Sequence, residues 1–95
     1  MSKHYSADFL RMLRNQIPIN TVITNFLQLE ARNANHILRF RCPLCDNFHT
    51  GTTLKTNLAR CFDCQENFNP IDLVIAVAKC SFLDAVEYLV ERIDK

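Results

Sequence analysis

Two short cysteine pairs constrain this chain more than any other feature: Cys42-Pro43-Leu44-Cys45 and, after 15 intervening residues, Cys61-Phe62-Asp63-Cys64. Paired C-x2-C units at that separation form the spacing of a four-thiolate metal site. Each unit is a tight turn that aims two sulfurs at one point, and two such turns build the tetrahedral sulfur cage that Zn²⁺ prefers. With all four positions filled by protein, the metal keeps no place for water or substrate. The expected cofactor is therefore one structural Zn²⁺ on Cys42, Cys45, Cys61 and Cys64. An iron centre takes the same S4 geometry, so spacing alone leaves both metals open. Cys80 is the leftover thiol and reads as a small apolar residue between helices.

A closed metal site matters because the chain is short. At 95 residues it is one domain, 1–95, with a limited core that gains from a metal staple. The first residues contain no apolar run of the signal-peptide kind, and no stretch is long enough to cross a bilayer. Paired C-x2-C units without a signal imply a reducing compartment, so the expectation is cytoplasmic. No nucleophile–base constellation is visible, and the chain alone is expected to be no enzyme and to have no small-molecule substrate.

The formal net charge of +1 hides a polarity. Residues 31–60 carry Arg32, Arg39, Arg41, Lys55 and Arg60 against the single acid Asp46, whereas residues 61–95 carry seven acids against Lys79, Arg92 and Lys95. In Leu38-Arg39-Phe40-Arg41 the arginines alternate with apolar residues, which puts both on one face of a strand. That pattern describes an ordinary solvated sheet face or a surface that tracks a phosphate backbone. Phe48 and Phe62 are aromatic candidates for stacking on unpaired bases, and Phe62 could equally pack over the thiolates. His49 reads as a loop residue rather than a ligand, and His36 and His4 lack partners that would point to catalysis.

The expected fold class is α+β: a small zinc ribbon of three or four antiparallel strands, N-terminal helices before it and a helical pair after it. Ser6 caps a first helix with Phe9, Leu10, Met12 and Leu13 on one side, and Pro18 opens a second running to about Phe26. Strands are expected over Leu27–Ala31, His36–Arg41, Thr50–Thr56 and Ala59–Phe62, with Asn33-Ala34-Asn35 as the first turn. Asn69-Pro70 starts a helix over about 70–79 that is apolar on nearly every face, and Ser81 caps an amphipathic last helix over about 82–93.

In this order, Arg41-Cys42-Pro43-Leu44-Cys45, Arg60-Cys61-Phe62-Asp63-Cys64, Asn69-Pro70-Ile71-Asp72-Leu73-Val74 and the run from Cys80 to Leu89 resemble the zinc-binding domain of bacterial DNA primases, the CHC2-type zinc ribbon. Members commonly place His at the second ligand, where this chain has Cys45. The usual glycine-rich stretch after the second cysteine pair is Gln65-Glu66-Asn67-Phe68 here. The resemblance implies binding of single-stranded DNA template in support of primer synthesis by a separate polymerase or primase catalytic subunit or domain. Arg32, Arg39, Arg41, Lys55, Arg60 and Phe48 are the expected contacts. The chain is then either an excised domain of a longer primase or a stand-alone protein, and the polar end Glu91–Lys95 tilts the expectation toward the second. The alternative is a module that docks a replication partner through the ribbon or the acidic last helix, with little DNA affinity of its own.

Overall fold

The computed structural model describes residues 5–93; His4 and the terminal Asp94-Lys95 lie outside it. Helix α1 (Ala7–Gln16) begins where expected, with the Ser6 hydroxyl accepting from the Phe9 N–H at 3.1 Å. Pro18 serves as N-cap rather than first helical residue of α2 (Ile19–Thr21), which continues into a π-helical turn, Val22–Phe26. The end of that turn is held from far away: the Tyr88 hydroxyl donates to the Phe26 carbonyl at 2.9 Å.

Five strands follow, in two sheets rather than one. Strands β1 (Ala31–Ala34) and β2 (Ile37–Phe40) form a hairpin with Arg32 opposite Arg39. Its turn is Asn35-His36, both with positive φ (52° and 66°), the backbone of a two-residue type I′ connection. The sequence expectation put the turn two residues early, because Asn33 and Asn35 carry the same turn chemistry and only pairing decides between them. Strands β3 (Thr50–Thr53), β4 (Leu58–Cys61) and β5 (Glu66–Phe68) form an antiparallel sheet in the order β3-β4-β5. The Thr50 hydroxyl joins the two sheets. It accepts from the Phe40 N–H at 2.8 Å and donates to the Phe40 carbonyl at 2.6 Å, although Thr50 is fully buried. One side chain thus replaces a rung of backbone pairing.

Helix α3 (Pro70–Ala78) opens with the Asn69–Asp72 capping box, which satisfies the Asp72 N–H and the Asn69 N–H reciprocally. It ends at Lys79, in the left-handed conformation. Helix α4 (Phe82–Ile93) takes its cap from the Ser81 hydroxyl, 3.1 Å from the Asp84 N–H. Leu13, Ile19, Val22 and Ile23 from the N-terminal helices meet Phe40, Ile71, Leu73, Val74, Val86 and Leu89 in one core. The helices thereby supply the apolar mass that a polar ribbon lacks, while α3 leaves Ile75 and Ala76 only partly covered.

Candidate metal centre and basic face

Each cysteine pair delivers its sulfurs by the same local device. Leu44 N–H points at Cys42 Sγ and Cys64 N–H at Cys61 Sγ, both at 3.4 Å. Immediately after each pair the chain turns through a left-handed residue, Asp46 (φ 66°) and Gln65 (φ 59°). Side chains other than glycine resist that conformation; at Asp46 two backbone bonds hold it, Asp46 N–H to the Cys42 carbonyl and Cys42 N–H to the Asn47 carbonyl, both at 2.9 Å. The four Sγ atoms lie within 4.8 Å of one another, with Cys42–Cys64 at 3.9 Å and Cys45–Cys61 at 3.6 Å. Tetrahedral Zn–S bonds of about 2.3 Å require sulfurs roughly 3.8 Å apart, so the cage has the dimensions of one zinc ion.

Ionisation of the cage depends on such a cation. Burial pushes the Cys42 thiol up, and hydrogen bonding with the Cys45 thiol pushes Cys64 up. Burial opposes ionisation of Cys61 too, but the Cys64 N–H and the neighbouring thiols outweigh it and lower its pKa. His49 is no ligand. Its Nδ1 lies 3.1 Å from Asp63 Oδ1 and its ring centroid 5.2 Å from that of Phe62. The sequence had shown no partner for Asp63, because thirteen residues separate the two. Cys80 is half-buried against the core and apart from the cage.

The arginines divide into two connected groups. Arg32 and Arg39 are direct cross-strand partners, and like charges so placed repel. Arg39 is held by a 3.0 Å hydrogen bond to the Thr50 carbonyl and reaches an open groove of about 320 Å³ on the ribbon face. Arg60, Phe62 and Gly51 also line it; Arg60 donates to Asn67 Oδ1 at 3.1 Å and lies 5.7 Å from the Phe62 ring centre. Phe62 is 46 % exposed, with its ring centroid 5.2 Å from that of His49. Gly51, the chain's one glycine, has an ordinary φ, and a Cβ there would meet Ile37 at 3.4 Å and Phe62 at 3.7 Å, ordinary contact distances.

The second group is self-engaged. Arg41 pairs with Glu30 at 2.6 Å and donates to the Asp46 carbonyl at 2.9 Å. Arg32 and Arg41 lie 4.5 and 4.8 Å from the Phe48 ring centre, so that ring is engaged by the protein's own cations. Lys55 is exposed in the β3–β4 turn, between Thr53 and Thr56 of the groove wall.

The family profile of the CHC2 zinc finger, the DnaG-type zinc ribbon, matches residues 5–95. The chain belongs to the CHC2 zinc-finger family. Comparison with curated proteins gives no match. Membership brings a primase-related zinc-binding role, and the four-sulfur cage is where this CHC2 domain performs it. Cys45 supplies the second of the four sulfurs, and with it the cage is complete.

Proposed function

We propose that this CHC2 domain binds single-stranded DNA template along the ribbon face and presents it to a polymerising active site on another chain or domain. The observation that carries the reading is the continuity of unneutralised charge. Arg39 and Arg60 share a groove with an exposed phenylalanine, and Arg32 stands opposite Arg39 on the neighbouring strand. Phosphates are drawn to the two groove guanidiniums, and an exposed ring accepts any unpaired base. A closed duplex offers no such base face, which favours single strands.

The zinc holds the β3–β4 end of this surface and takes no part in chemistry, so the chain is non-catalytic by itself. The setting proposed is the cytoplasm, beside a replication partner. Among the described residues no helix is long and apolar enough to cross a membrane.

The test is fluorescence anisotropy of zinc-loaded protein with single-stranded and duplex oligonucleotides at two salt concentrations. Arg39→Gln/Arg60→Gln should weaken single-strand binding and flatten its log–log salt slope by about 1.4, for two released counterions at roughly 0.7 each. Phe62→Leu should weaken binding by about 1–3 kcal/mol, the range for base–aromatic stacking, with the slope unchanged. Absence of binding at low salt, or equal affinity for duplex, overturns the reading.

A further inference from the structure

A second groove, of about 420 Å³, opens beside the metal centre between the first cysteine turn, β5 and the α3 face. Leu44, 56 % exposed between two zinc ligands, forms one wall, and Ile75 and Ala76 of α3 form the other. Glu66 and Asp72 stand on its rim, and no cation lines it. Lys79, the next cation on that helix, lies beyond the lining residues. A zinc-loaded four-thiolate cage behind Leu44 adds about two negative charges to the same side.

All three residues of β5, Glu66, Asn67 and Phe68, border this groove. Successive residues of a strand alternate between its faces, so a groove touching all three runs along the strand's edge. That edge is open: β5 pairs with β4 on one side, and among the described residues no strand pairs with the other. An unpaired edge is a template for strand addition. Leu44, Ile75 and Ala76 supply apolar seats for alternate side chains.

We propose that this groove docks an extended, basic segment of a partner protein, which adds a strand to β5, seats apolar side chains against Leu44 and Ile75, and places Lys or Arg beside Glu66 and Asp72. Charge selects the partner: the rim and cage are negative, whereas the ribbon face that Asn67 also borders is positive. The two surfaces share β5, so a bound partner and a bound template strand lie on adjacent sides of one short strand. The docking site stands independently of whether the ribbon face binds DNA.

The test is titration of zinc-loaded, ¹⁵N-labelled protein with an alternating Lys-Val hexapeptide and its Glu-Val counterpart, read by amide chemical shifts. Shifts should centre on Leu44, Glu66–Phe68, Asp72 and Ile75 with the basic peptide and be missing with the acidic one. Glu66→Lys and Leu44→Ser, each checked for full zinc content, should weaken the basic peptide by about tenfold or more. Shifts centred on the α4 acids or the ribbon face, equal binding of both peptides, or none at saturating peptide would overturn the proposal. So would concentration-dependent shifts of the same amides without peptide, which assign the groove to a second copy. A parallel titration with single-stranded DNA that moves Arg39 and Arg60 but not Leu44 keeps the two sites separate, and its failure leaves the peptide result standing.

Discussion

The two ends of the β3–β4 ribbon are held by opposite means. At one end four sulfurs converge on a metal-sized cage. At the other, the Leu54–Asn57 turn is anchored by one buried amide: Asn57 Oδ1 accepts from the Ile19 N–H at 2.8 Å, and its Nδ2 donates to the Arg14 and Ile17 carbonyls at 2.7 Å. The first anchor is external and reversible, since it requires an ion. The second is built into the chain and ties the ribbon to the start of the helical core. A small domain can thus be switched at one end while its other end stays attached.

Metal removal breaks that comparison most severely. Structural zinc contributes on the order of 10–16 kcal/mol in small domains at neutral pH, comparable to the stability of a whole domain. Chelation should therefore erase the dispersed amide signals of β3, β4 and β5, with helix content by circular dichroism falling less. Retention of ribbon signals after complete zinc loss would show that the far anchor suffices. The pH dependence has a defined sign. In the metal-free fold Cys42 and Cys64 hold their protons more tightly than a free thiol. Zinc loading therefore releases protons, and competition assays should find weaker zinc binding at pH 6 than at pH 8.

Asn57 is the next largest effect. Asn57→Ala strands the buried partners of its amide, at about 1–3 kcal/mol for each group left unsatisfied. It also forces alanine into a left-handed backbone (φ 56°). Asn57→Gly removes the hydrogen bonds but keeps the backbone permissive, so the difference between the two variants in urea melts isolates strain. Zinc content should be unchanged in both. If zinc affinity fell in parallel, the two ends would be coupled rather than independent.

The unequal legibility of the two ends in sequence has the same origin. The sulfur cage is written within four residues twice, and the α3 and α4 boundaries follow from Asn69-Pro70 and Ser81, whose caps act over three residues. Asn57 bonds to residues 38 to 43 positions away, and no local pattern distinguishes it from the asparagines of the hairpin. Thr50 escaped for the same reason: its bridging role exists only once β2 lies beside β3. Strand β5 is short and polar, Glu66-Asn67-Phe68, and becomes a strand only by pairing with β4. Of the left-handed positions only Asn35 lay in a turn the sequence offered; among the described residues seven non-glycine residues carry such backbone and the single glycine does not.

The smallest effect tests how Arg41 divides its charge between holding the sulfur end and meeting a ligand. Its guanidinium joins Glu30, beside β1, to the carbonyl of Asp46 just after the first cysteine pair. Both partners are well exposed, 43 % and 53 %, so the ion pair itself contributes only about 0–1 kcal/mol. Glu30→Gln should leave the urea midpoint almost unmoved and zinc content intact, because the carbonyl contact survives. The same substitution removes the acid paired with Arg41, freeing a full positive charge beside Arg32 and Arg39. Single-strand affinity should therefore rise, with the log–log salt slope steeper by up to about 0.7. A large loss of stability would instead make Arg41 a structural strut of the first cysteine turn. An unchanged slope with unchanged stability would place the DNA path on Arg39 and Arg60 alone.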